Sequence, residues 1–380
     1  MLPQNMMEKL KHIDPAVLTE VVRQDQKSPT FEILDWTVER LSDKGIINPD
    51  GLFRFKGQGR DETGTRDWSV ALKIIKDAGT EEDTRNMWYW KRELLAVQSG
   101  LLASLPGPVT APRFYTVAEQ EGSGWLWQEL IIADSTNENW TTDQFAFAAR
   151  EIGRFNGAYL VGVPLPDFPW LCQGHARTWS SLPPDGTWAN PFVSRVFSNH
   201  MRERVLRLWN ERERFYIGLE RLPQIFSHFD FHPRNLFIRS REDNQQELVA
   251  VDWAMCGYGP LGGDLYPLIG ASALVFELES SAMPEVEIAV FEAYLSGLND
   301  AGWHGDPALA RLGYTAWLAL WLGVTMPGLI AVWTSDNLLP RVPEVFGRSP
   351  EQFASDLVPI CEFALDRADE ARLLMDRLMM

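Results

Sequence analysis

Three oxygen-bearing side chains, Asp230, Asn235 and Asp252, are spaced so that together they could handle a phosphoryl group. The first two belong to a short loop, His228-Phe229-Asp230-Phe231-His232-Pro233-Arg234-Asn235, which runs straight into the strand-like Leu236-Phe237-Ile238. A polar turn from Arg239 to Glu247 leads to a second apolar run, Leu248-Val249-Ala250-Val251, which delivers Asp252. Pairing the two runs as a β-hairpin returns Asp252 to the edge that carries Asp230 and Asn235. Phosphoryl transfer asks for such a set: one carboxylate to accept a hydroxyl proton, and an amide with a second carboxylate to hold Mg²⁺.

The pattern H-x-D-x-x-x-x-N, followed by a hairpin and Asp252-Trp253, resembles the catalytic loop and metal-binding Asp of the aminoglycoside phosphotransferase and choline kinase-like family. These are small-molecule relatives of the protein kinases, whose loop reads H-R-D-x-x-x-x-N. The resemblance implies that Asp230 is the catalytic base and that Asn235 and Asp252 are Mg²⁺ ligands, with ATP as phosphoryl donor. It also implies that His228 bonds backbone near Asp252, with a catalytic role as the alternative. His232 could touch the transferred phosphate or brace the loop. Gly262-Gly263-Asp264-Leu265 resembles the family's G-D-x-A segment, whose Asp supports the catalytic loop, and that role falls to Asp264.

Upstream, Gly51 to Gln58 and Trp68 to Ile75 read as strands, with another near Trp36 to Leu41. Lys73 sits among apolar neighbours, where an unpaired ammonium is costly; it either snorkels from a strand edge or finds an anion. Thr84 can cap a helix whose start carries Glu81, Glu82 and Asp83, well placed for the macrodipole. On that helix Glu93 would share a face with Tyr89, Trp90 and Val97, so it wants a cation, and Lys73 is the natural one. Val70-Ala71-Leu72-Lys73 resembles the kinase V-A-I-K lysine that reaches the phosphates. The phosphate-covering loop would lie at Asp43 to Asp50, which holds Gly45; Gly57-Gln58-Gly59 lacks the third glycine of G-x-G-x-x-G. Pro112 to Val117 and Gly124 to Ile132 read as two further strands. By the resemblance, the second runs into a hinge at Gln128, Glu129 and Leu130 that meets the adenine; the alternative is an ordinary edge strand.

A helix is expected from Thr142 to Leu160, where Phe145, Ala148, Ala149, Ile152, Phe155 and Tyr159 recur at helical period. Val161 to Pro191 reads as an insertion on the acceptor side, Phe192 to Leu222 as helix, and everything after Asp264 as mainly helical. The resemblance implies an α+β, bilobal protein-kinase-like fold, with an antiparallel-sheet small lobe and a mainly helical large lobe. The expected organisation is a helical extension over 1–30, a nucleotide-binding lobe over 31–131, and a catalytic and acceptor-binding lobe over 132–380. No A-P-E motif or long activation segment follows Asp252, which favours a small-molecule hydroxyl acceptor over a peptide. A catalytically silent nucleotide-binding scaffold is the alternative.

Charge and composition narrow the partners. A net charge of −17 over 380 residues argues against nucleic acid, which selects basic surfaces. It suits a cationic acceptor such as an aminoglycoside, amino sugar or amino alcohol, although many proteins are simply acidic. Three cysteines, Cys172, Cys256 and Cys361, form no paired framework and no metal pattern, and no signal peptide opens the chain, so a cytoplasmic location is expected. The charge-free run from Leu312 to Ser335 is long enough to span a bilayer, but Gly323 and Met326-Pro327-Gly328 interrupt it. A pair of buried helices, with no membrane partner, is the expectation; a membrane-anchored regulator is the alternative.

Overall fold

The structure, a computed structural model, describes residues 3–41, 51–77, 79, 83–120, 122–132, 139–181, 183–240 and 245–378. The chain divides into two compact units. One gathers Met1–Glu82, Trp88–Leu105 and Thr110–Ile132; the other gathers Asp83–Met87, Pro106–Val109 and Ala133–Met380.

The first unit opens with helices α1 (Pro3–Lys11) and α2 (Pro15–Asp25). Asp14 caps α2 through a side-chain bond from the Ala16 N–H at 2.8 Å, with Pro15 at the first helical position. Strands β1 (Glu32–Ile33), β2 (Thr37–Leu41), β3 (Leu52–Asp61) and β4 (Gly64–Lys76) follow. The two strands run further than the Gly51–Gln58 and Trp68–Ile75 stretches read from sequence, up to a tight turn where Asp61 accepts the Thr63 N–H. Gly57-Gln58-Gly59 therefore lies inside β3, and a Cβ on Gly57 would sit 2.0 Å from the Asp35 carbonyl oxygen. The alternative phosphate loop, Asp43 to Asp50, lies outside the described residues.

Helix α3 (Arg92–Gln98) starts later than the Thr84 cap signal suggested. Asp83 and Thr84 are used in a turn: Asp83 accepts the Arg85 N–H, and the Thr84 hydroxyl donates to Pro169. Asp serves turns as readily as caps, which is why the two looked alike in sequence. Glu81 and Glu82 lie outside the described residues. Strand β5 (Val109–Thr110) belongs to another sheet, and β6 (Phe114–Gln120) and β7 (Ser123–Glu129) complete this one. In the sheet, β1, β3, β4, β7 and β6 are neighbours in that order and β2 pairs with β3, all antiparallel. Phe31, Phe55, Trp68, Trp125 and Trp127 pack with Leu18 and Val21 of α2 on one face. Trp90 and Leu94 cover Ile75 and Leu126 on the other.

The second unit is mainly helical. Helix α4 (Thr142–Leu160) has the bounds its apolar period suggests, and Thr141 with Gln144 forms a capping box at its start. The Val161 to Pro191 stretch holds the short helix α5 (His175–Trp179) and a 3₁₀ turn, Asp185–Ala189, and the next helical stretch breaks at Phe197 into α6 (Pro191–Val196) and α7 (Asn199–Arg221). Ser198 caps α7, so the single helix expected there is two. Among strands β8 (Gln224–Ser227), β9 (Leu236–Ser240), β10 (Gln246–Ala250) and β11 (Gly257–Pro260), β8 pairs with β11 and β9 with β10, both antiparallel, and β5 lies on the other side of β10.

Then come α8 (Tyr266–Leu274), α9 (Met283–Asp300), α10 (Pro307–Leu318), α11 (Val324–Trp333), α12 (Val342–Phe346) and α13 (Pro350–Arg377). Helix α4 lies so close to α9 that a Cβ on Gly297 would stand 2.0 Å from the Arg150 carbonyl oxygen. Helices α10 and α11 are joined by a π-helical turn, Ala319–Gly323, and run as one helical segment where two separate helices were expected. By length and composition this segment could cross a membrane, but 72% of its most apolar window is buried inside the protein.

Candidate active site

The β9–β10 hairpin frames the loop. Ala250 pairs with Leu236, and one step further the Val251 N–H donates to the Asn235 carbonyl at 2.9 Å. Asp252 therefore leaves the hairpin at the end where Asn235 enters it. Across the loop, the Asn235 amide nitrogen donates to the Asp230 carboxylate at 2.7 Å and to the Asp230 carbonyl at 3.1 Å. With the nitrogen committed to Asp230, Oδ1 is the amide atom left for a cation. Asp230 keeps 29% of its side chain exposed, enough to meet a substrate, while Asn235 is buried.

His228 lies beneath the loop, wholly buried. Its Nδ1 accepts the Asp230 N–H at 3.1 Å, and its Nε2 faces the Val251 carbonyl at 3.1 Å. A peptide N–H only donates and a carbonyl only accepts, so the ring is neutral and protonated on Nε2. Burial pushes its pKa down to about 4, against the pull of the Asp230 and Asp252 charges. Phe231 stacks on the ring at 4.4 Å and Trp253 meets it edge-on at 4.5 Å. His232 stands off, its Nε2 3.5 Å from Asp230 Oδ1.

Asp264 is also fully buried. It accepts the Phe229 N–H at 3.1 Å and the Asn156 amide at 3.0 Å. Burial lifts its pKa to about 6, and these hydrogen bonds hold it lower than burial alone would. Asn156 in turn accepts from the Tyr294 hydroxyl, which receives the Gly262 N–H. Gly262 has φ 84°, and a Cβ there would meet the Ala310 carbonyl oxygen at 2.0 Å, so the turn into Asp264 requires glycine. Sequence reasoning missed Asn156, Tyr266 and Tyr294, because their partners lie far away in the chain. The one local signal was a tyrosine directly after the Gly262–Leu265 segment.

In the first unit, Lys73 on β4 reaches Glu93 on α3, with Nζ to Oε2 at 2.6 Å, and both side chains are buried. Glu93 sits in the first turn of α3, and Tyr89 and Trp90 precede the helix, so the shared helical face assumed from sequence covers Val97 alone. The pairing itself is present. Gln128 is buried in β7, opposite Ala71 and Phe114, so β7 is an interior strand and not an edge. Glu129 ends the strand; its N–H donates to the Arg113 carbonyl and its carboxylate pairs with the Arg113 guanidinium at 3.2 Å. Leu130 lies just beyond the strand, half-buried. Cys256, close in sequence to Asp252, is fully buried.

The model of the phosphotransferase enzyme family APH matches residues 65–306, well over half of the chain. The chain belongs to this family. Among solved structures, this phosphotransferase is similar to the microcompartment-associated aminopropanol kinase, with TM-score 0.55 and 12% identity over 94% of this chain and 98% of that one. It is similar to choline kinase from Cryptosporidium parvum, with TM-score 0.52 and 13% identity over 97% and 98% of the two chains. It is also similar to spectinomycin phosphotransferase in complex with ADP and spectinomycin, with TM-score 0.51 and 14% identity over 94% and 99%. At these identities the likeness is one of fold: the α+β, protein-kinase-like architecture expected from the sequence. No curated protein matches this phosphotransferase by sequence.

Proposed function

We propose that this phosphotransferase moves the γ-phosphoryl group of ATP to a hydroxyl of a small molecule. The observation that carries the reading is the Asn235 amide held on the Asp230 carboxylate, in a loop braced from below by buried His228 and Asp264. Asp230 accepts the acceptor's proton as its oxygen bonds to phosphorus and the bond to the β-phosphate oxygen breaks, releasing ADP. An alcohol does not ionise near neutral pH, so a carboxylate within hydrogen-bond reach takes the proton late, as the loose transition state collapses.

The donor set fits Mg²⁺. Asn235 Oδ1 and the Asp252 carboxylate are hard oxygen ligands, and among the described residues no cluster of three His, Cys, Asp or Glu forms a full protein cage. Mg²⁺ is commonly held by one or two protein ligands, with water and phosphate oxygens completing its shell. When bound it would neutralise charge on the β- and γ-phosphates. Lys73, oriented by Glu93, would pair with the phosphates, and the chain around Gln128, Glu129 and Leu130 would meet the adenine.

A net charge of −17 favours an acceptor bearing an amine, and two of the similar folds are named for aminopropanol and choline. The test is a screen of hydroxyl compounds, with and without amines, for stimulated ADP release from Mg·ATP. Stimulation concentrated among the amines is expected. ATP binding with no release for any compound would favour the silent scaffold, and no ATP binding at all would contradict both readings.

A further inference from the structure

We infer that Tyr266 is a positioning residue for Asp230, its hydroxyl pinning the peptide unit that leads into the carboxylate. This rests on the reading of Asp230 as the catalytic base. Phe229, the residue before it, has φ 67°, a conformation that side-chain-bearing residues keep only where their surroundings fix it. Both of its backbone polar groups are held. The Phe229 N–H donates to Asp264 at 3.1 Å, and its carbonyl accepts the Tyr266 hydroxyl at 2.8 Å.

That carbonyl belongs to the same peptide plane as the Asp230 N–H, which donates to His228 Nδ1. Tyr266 and His228 therefore grip the plane from opposite ends. Rotating it to re-aim Asp230 would break both bonds at once.

The hydroxyl is itself well fixed. The Tyr266 ring is 2% exposed, stacks on Trp317 at 4.3 Å and 13°, and meets Trp321 edge-on at 4.9 Å. Burial first, then the nearby charges of Asp230 and Asp264, holds its pKa well above 10, so it remains a donor. Tyr266 directly follows the Gly262–Leu265 segment that resembles G-D-x-A.

Tyr266→Phe removes one oxygen and keeps the aromatic stack. Three quantities are compared with wild type: amide exchange at Phe229 and Asp230, the unfolding midpoint, and ADP release from Mg·ATP with water as the only acceptor. Faster exchange confined to the loop is expected, with an unfolding midpoint close to wild type. The turnover rate should fall by roughly 10-fold, about the worth of one well-placed hydrogen bond, while KM for ATP stays within about twofold. Unchanged exchange would overturn the inference. So would a lowered midpoint with full turnover per folded molecule, because that is what a merely structural role gives. Asp230→Asn, run alongside, separates the two claims. If it keeps wild-type turnover, the base assignment fails and the exchange data alone decide whether Tyr266 pins the loop.

Discussion

Phe229 and Asp252 hold positive φ angles, 67° and 64°, without being glycine. Each such residue costs on the order of 1–3 kcal/mol and persists only where its surroundings over-determine it. Here the two flank the loop and the hairpin exit that carry the candidate chemistry, and buried His228 bonds backbone beside both. His228 also makes a pH prediction. Burial holds its pKa at about 4 in the folded protein, below the ordinary histidine value of 6.5, so it contributes stability that is present above the unfolded value and lost as pH falls toward 4. Asp264 runs the other way: raised to about 6, its burial costs stability above that pH, and the cost is relieved in acid. The direct check is an NMR titration of the His228 ring. We expect no protonation between pH 7.5 and about 5; a midpoint near 6.5 would contradict the neutral, doubly bonded ring. Lys73 and Glu93 form a buried ion pair, so removing either partner alone would leave an uncompensated charge and strongly destabilise the fold.

At the scale of elements, close backbone approach sets where the helices lie. Gly297 in α9 has no room for a Cβ against the Arg150 carbonyl, whereas a Cβ on Gly328 in α11 would meet only Thr187 at 3.8 Å. Gly297→Ala should lower stability by about 1–3 kcal/mol through overpacking. Gly328→Ala should be neutral, or raise it by up to ~1 kcal/mol through helix propensity. Denaturation midpoints in urea check both; equal effects would mean that the α4–α9 crossing is looser than described. Legibility in sequence followed range. The loop and hairpin could be read because their residues lie within one short stretch. Helix α4 could be read because its period and capping box are local. The start of α3 was misjudged because Asp83 and Thr84 serve a turn equally well, and the break at Ser198 hid inside a charged helical run. The π-helical turn left no trace among uniformly apolar residues. Asn156, Tyr266 and Tyr294 were missed because their partners are brought to them only by the tertiary fold.

For the whole molecule, the family match and the kinase-like fold agree with the family resemblance and the fold class read from the sequence. The central claim is that Asp230 takes a proton during phosphoryl transfer from ATP. The most direct measurement compares wild type with Asp230→Asn, using ATP·Mg affinity by calorimetry and ADP release under the best acceptor from the screen. Loss of a general base costs about 10²–10⁴ in rate. We therefore predict near-normal nucleotide affinity and transfer slowed by that factor in the variant. Transfer at the wild-type rate in Asp230→Asn would contradict the account.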